Sequence, residues 1–290
     1  MNIATVTFDL FKKTFSAFVK DNASQMAAAL SYYALLAIPS LLLIVLSMFN
    51  LFLADNQSRM TVIKIVSNIV GYSGTEAITQ IIAHLNQYSN QSSVATWVGI
   101  ITLILTATGV VGHLERSLNH VWHSPSANHH SFSYFLRQRL LSLLFIIAIG
   151  IILFILFIVN TSLALLSFYF ADTLGISPFI LNSLTFIVSF IMLVFLIAGL
   201  YKYVPDGKMA WKDLLVGALV TGALFSLGKY LIGIYLNYST IGSLYGAAGS
   251  VLLLLVWIYY SSLIIFFGAE FTQVYASTHG QGITPSKHQK

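Results

Sequence analysis

The chain has 290 residues, of which 57% are hydrophobic and 8% charged, with a mean hydropathy of +0.84 and a formal net charge of +5. Soluble domains carry roughly 25% charged residues, because water faces most of their surface. So few charges exclude a water-soluble globule and make lipid the main solvent, and the absence of cysteine excludes disulfides and thiolate-based metal or redox chemistry.

Phe8, Phe11, Phe15 and Phe18 fall within an arc of about 80° at about 100° per residue, with Lys13 and Lys20 away from it. This pattern predicts an N-terminal interfacial helix over residues 3–20. Crossing the hydrocarbon core takes about 20 helical residues, each rising ~1.5 Å across ~30 Å. Six segments qualify: 26–53, 94–113, 140–170, 179–203, 213–236 and 247–275. The third must tilt, or bend near Asn160-Thr161-Ser162, to match the bilayer. The expected fold is therefore all-α, a polytopic membrane protein with six transmembrane helices. Residues 1–275 form a single membrane domain, and 276–290 form a polar cytoplasmic tail.

The first span opens with Asp21-Asn22-Ala23-Ser24-Gln25, continues through Ser31-Tyr32-Tyr33 and contains Pro39. Small residues let a neighbouring helix approach closely, and Pro39 frees a carbonyl that needs another partner. Such a helix is either a tightly packed, kinked central element or the wall of a polar pathway lined by Gln25, Tyr32 and Tyr33. The connection 54–93 carries Ile78, Ile81, Ile82 and Leu85 at helical spacing, punctuated by Gly71-Tyr72-Ser73-Gly74. It reads as a short helical outer cap.

His113, Arg116, His120 and His123 would share one face of a helix continuing past the second span. No carboxylate joins that face, so it reads as a basic surface for lipid phosphates or Glu270 before it reads as a metal site. Span five presents Gly217, Ala218, Thr221, Gly222, Ser226, Gly228 and Gly233, a surface for close packing. Lys229 lies about 10 Å before the outer end of that span, within snorkelling reach. Glu270 is the one acidic residue of span six. Its expected role is an ion pair with Arg116, Arg137, Arg139 or Lys202, ahead of a coupling role.

Lys12, Lys13, Lys20, Arg116, Arg137, Arg139, Lys202, Lys208, Lys212, Lys287 and Lys290 all fall on one side of a six-span topology. Only Arg59 and Lys64 fall on the other. This is the positive-inside pattern, and it predicts cytoplasmic N- and C-termini. It also accounts for the net positive charge without nucleic acid. No phosphate-binding glycine loop is present, and the nine scattered acidic residues assemble neither a nucleophilic triad nor a carboxylate dyad. The expected protein is not an enzyme and uses no cofactor.

Several segments resemble the YihY/BrkB family of bacterial inner-membrane proteins, once labelled ribonuclease BN. The clearest is Tyr245-Gly246-Ala247-Ala248-Gly249-Ser250, followed by Trp257-Ile258-Tyr259-Tyr260-Ser261-Ser262 and Gly268-Ala269-Glu270-Phe271. Also similar are Ala29-Leu30-Ser31-Tyr32-Tyr33-Ala34-Leu35-Leu36 with Pro39, and Val204-Pro205-Asp206 with Trp211 and Gly217-Ala218. The resemblance implies a six-helix inner-membrane protein whose relatives are linked to envelope phenotypes and lipid export. It makes Tyr245, Gly246 and Gly249 further candidates for pathway or helix packing. The leading functional expectation is a transporter or flippase for an envelope lipid or amphiphile, with membrane lipids as partners. Arg116, Arg137 and Arg139 are candidate contacts for lipid phosphate. A non-transporting scaffold is the alternative, and a membrane-bound ribonuclease the weakest reading.

Overall fold

The computed structural model describes residues 3–52, 106, 109–124, 151, 155, 158–159, 178–238 and 247–280. The expected outer cap (54–93), nearly all of the span 94–113 and most of the span 140–170 lie outside the described residues. Within them every regular element is a helix.

Helix α1, Ile3–Lys20, uses three faces. Leu10 and Thr14 are buried, Leu10 in a cluster with Ala17, Phe271 and Val274. Phe11 and Phe18 place their rings 6.3 and 5.8 Å from that of Phe267. Phe8, Phe15 and Val19 face outward. The aromatic arc thus splits between protein contact and an exposed strip, because helical spacing alone does not say which part of an apolar face meets protein. The charged side holds a Lys13–Asp9 pair at 2.9 Å. An aromatic strip flanked by lysines suits a helix lying along a bilayer surface.

The turn after α1 is made by Asn22 at φ 54°. Asparagine is among the few non-glycine residues that visit the left-handed region routinely. Its carbonyl then accepts from the amides of Gln25 and Met26 at 2.9 and 3.3 Å, which opens helix α2, Ala23–Phe52. Ala23, Ala27, Leu30 and Ser31 are the buried face of α2, at the spacing of a single helical stripe.

Residues 109–121 form helix α3. It ends by two backbone bonds, His123 N–H to His120 O (3.0 Å) and Ser124 N–H to Asn119 O (2.9 Å), with His123 at φ 49°. This double closure satisfies the last carbonyls of the helix. It also removes His123 from the face predicted for His113, Arg116 and His120. Arg116 and His120 are exposed, whereas His113 turns inward and donates from Nε2 to Met26 O of α2 at 3.0 Å. Among the described residues no three His, Asp or Glu side chains are grouped to hold a metal ion.

Helix α4 spans Pro178–Tyr203 and begins on a proline, whose missing N–H costs nothing in a first turn. Val194, Ile197, Ala198 and Tyr201 face inward, while Leu184, Ile187, Ile191 and Phe195 make an outward stripe. A stripe of that size facing water would be a liability, and it is the normal lipid face of a spanning helix. Helix α5, Trp211–Tyr238, follows a short loop. Asn119 and Asp206 fasten that loop to α3: the Asp206 amide donates to Asn119 Oδ1 at 2.8 Å, and Asn119 Nδ2 donates to Asp206 Oδ2 at 3.0 Å. Exposed Tyr203 and Trp211 meet edge to face at 6.4 Å, with Lys202 Nζ 5.8 Å from the Trp211 ring. Tyrosine, tryptophan and lysine together at helix ends are the usual markers of a membrane–water boundary.

Helix α6, Ala247–His279, runs past the expected end at 275 because nothing breaks it before Gly280. It is the central element, packing against α1, α2 and α5, while α4 packs on α5. The α5–α6 contact is reciprocal. A Cβ at Gly217 would fall on Thr272 Oγ1, and a Cβ at Gly268 would fall on Thr221 Oγ1. Each threonine is spent on its own helix, Thr221 donating to Gly217 O (2.7 Å) and Thr272 to Gly268 O (2.6 Å). Two Gly-x-x-x-Thr turns thus seat into one another, the small-residue packing by which helices associate in lipid. The segments Ser183–Tyr203, Trp211–Leu231 and Val251–His279 are long and apolar enough to cross a membrane.

Candidate functional site

One end of the bundle gathers the α1–α2 turn, the end of α3, the α4–α5 loop and the last turns of α6. Trp122 is 1% exposed and ties α3 to α6 by donating from Nε1 to Ala269 O at 3.3 Å. Its ring lies edge-on to Tyr201, 6.2 Å away. Tyr201 in turn donates to Ile265 O at 2.6 Å and sits 3.2 Å from Thr221 Oγ1. These aromatic residues close off the segment of α6 that carries Glu270.

Glu270 is fully buried, and neither of its carboxyl oxygens has a conventional hydrogen-bond partner among the described residues. The group facing it at hydrogen-bonding reach is Asp21, itself 8% exposed. Two carboxyl groups bond to one another only when a proton lies between them. Asp21 Oδ2 likewise has no hydrogen bond, and His123 Nε2 lies 3.8 Å from it. The His123 side chain is 60% exposed. The arrangement is a buried acid pair with one imidazole at its rim.

This corrects the expected ion pair, within the described residues. Lys202 donates to Met209 O at 2.7 Å and covers Trp211 instead of reaching Glu270. Arg116 points outward from α3. Arg137 and Arg139 lie outside the described residues. The partner is an acid because the α1–α2 turn folds beside α6, a proximity that sequence separation hides.

The other candidates are dispersed. Gln25 and Tyr32 are exposed on α2. Tyr33 is half-buried, 5.5 Å from the His113 ring, and rests on Gly109. Pro39 and Gly249 lie in helical backbone of α2 and α6, and Tyr245 and Gly246 fall outside the described residues. Lys229 is exposed on α5 beside Gly228, against which Tyr260 packs. Tyr260 precedes Glu270 on α6 by about 15 Å of helix rise, so Lys229 and Glu270 sit at different depths. Sequence reasoning missed Trp122, Tyr201 and the Asn119–Asp206 clasp. The usable signal was Asp21, an acid at the mouth of an apolar span.

Outward apolar helix faces, an aromatic boundary and an acid buried in a spanning helix define a multi-pass, all-helical membrane protein. A family model described as Virulence factor BrkB matches residues 14–290, and the chain belongs to this family, as its motifs imply. It is similar to proteins described as UPF0761 membrane proteins. That of Mannheimia succiniciproducens is 30% identical over 266 residues, covering 91% of this chain and 88% of the relative. That of Aggregatibacter aphrophilus is 28% identical over 268 residues, covering 91% of each. That of Haemophilus influenzae is 26% identical over 265 residues, covering 90% of this chain and 91% of the relative. No solved structure matches the chain.

Proposed function

We propose that this protein is a transporter or flippase for an envelope lipid or another amphiphile in the bacterial inner membrane, and not an enzyme. The observation that supports this is Glu270, an acid inside an apolar span, withdrawn from lipid and without a countercharge among the described residues. An ionisable residue in that position ordinarily marks a substrate or ion route. In this reading the partners are membrane lipids and an amphiphilic substrate, with no nucleic acid and no cofactor. Exposed Arg116, with Arg137 and Arg139 following in the chain, supplies a basic rim for lipid phosphate.

Protein in liposomes with a fluorescent anionic phospholipid should expose inner-leaflet label to an impermeant quencher, and Glu270→Gln should abolish this movement. A quenching plateau equal to that of protein-free liposomes, across several headgroups, counts against transport and in favour of a scaffold.

The same reading places both termini in the cytoplasm, on the distribution of basic residues. The chain has no cysteine, so single introduced thiols report cleanly. Ser286→Cys should react with an impermeant maleimide only after the inner membrane is opened. Ser58→Cys should react in cells whose outer membrane alone is permeabilised. The reverse pattern overturns the orientation.

A further inference from the structure

A carboxylate withdrawn from water without compensation is costly, by several kcal/mol, and a second one beside it adds repulsion. Asp21 and Glu270 face each other in that situation, and their contact is a hydrogen bond only with a proton between them. His123 touches the more exposed member of the pair and opens to the outside. We propose that Asp21 and Glu270 form a proton-binding site inside the bundle, and that His123 is the residue that loads it from the aqueous side. The ligand of this site is H⁺. The inference deepens the transport reading and rests on it for the use to which the proton is put.

The transfer balances simply. Protonated His123 gives its Nε2 proton to Asp21 and is left as neutral imidazole. Asp21, now the neutral acid, passes a proton to the Glu270 carboxylate and is a carboxylate again. Unloading is the reverse, and no bond to carbon changes. At 3.8 Å the first step is bridged by one water or by rotation of the exposed imidazole. Histidine suits the task because its imidazole nitrogens can both accept and donate a proton.

Among the described residues, the neighbouring elements bring no competing base to the pair. On α4, Tyr201 donates to Ile265 O and Lys202 to Met209 O. On α5, Asp213 lies against Gly280, about 15 Å further along α6. Thr14 of α1 bonds its own helix at Leu10 O, and Lys13 pairs with Asp9 on the exposed side. On α3, His113 is bound to Met26 O, and Arg116 and His120 face outward. Two acids and one imidazole at the rim fall short of a metal cage, in agreement with the lack of any metal-ligand group among the described residues.

The test is infrared spectroscopy on the full chain in lipid nanodiscs. At neutral pH the wild type should show a protonated-carboxyl stretch that is absent from the Asp21→Asn/Glu270→Gln double variant, whose substitutions keep the packing volume. His123→Asn tolerates the left-handed backbone and removes the shuttle. It should leave the equilibrium band intact and slow its response to a pH jump by about tenfold or more. A band that survives the double variant, a wild-type response rate in His123→Asn, or displacement of the band by Na⁺ at fixed pH each overturns the proposal. Neither readout requires lipid movement. Protein that keeps both signals and moves no lipid defeats the transport reading alone, whereas protein that moves lipid with neither signal defeats the proton site alone.

Discussion

Gly268→Leu is expected to lower the unfolding free energy by about 3 kcal/mol or more, the upper end of what an overfilled interface costs. The space for a side chain at 268 is already taken by Thr221 Oγ1 and the Tyr201 hydroxyl, at 2.7 Å for the latter. Neither can swing aside freely. Thr221 is fixed to Gly217 O and Tyr201 to Ile265 O, so relief means separating α5 from α6. Denaturant unfolding in micelles measures the effect. Gly268→Ala should be milder, and combining it with Thr221→Gly should cost less than the sum of the two single changes, as expected when a pair shares one space. Strict additivity would mean that the helices do not meet here.

Trp122→Ala should cost about 3–5 kcal/mol, the range for removing a large buried aromatic side chain. Trp122 is the largest fully buried side chain among the described residues, and its indole N–H is bound to Ala269 O. Trp122→Phe keeps most of the volume, loses the donor and should cost about 1–2 kcal/mol, the worth of one buried hydrogen bond plus a small void. The same unfolding series distinguishes the two contributions. Equal losses for Ala and Phe would make the hydrogen bond, not the packing, the main term. The alanine variant should also loosen the wall beside Glu270, read as faster amide exchange in the last turns of α6.

Helix existence was legible because hydropathy acts over twenty residues at a time. The expected spans 179–203 and 213–236 lie within α4 and α5, displaced from their ends by no more than two residues. The expected start of the last span, 247, is the first residue of α6. The small-residue surface of span five was legible too, but its registration on Gly268 and Thr272 was not, since one helix cannot say which neighbour fills its notch. The site was only half legible. Glu270 stood out as an acid in an apolar run. Its neighbour Asp21 lies at the other extremity of the sequence, and no spacing rule relates them. His123 was misjudged for a local reason, since a helical periodicity cannot register that its own last member has turned left-handed. The Asn119–Asp206 clasp joins residues 87 apart and left no trace in pattern.

The central place of α6 bears on how the protein is made. Its partners α1 and α2 leave the ribosome about two hundred residues earlier. At roughly 5–20 residues per second that is an interval on the order of 10–40 s. Throughout it, the faces bearing Leu10 and Ala27 are synthesised but lack α6 to close on. Biogenesis is therefore end-loaded. The bundle stays incomplete until the final span arrives, and a chain arrested before residue 247 should be a substrate for membrane quality control and not a smaller working version of the protein.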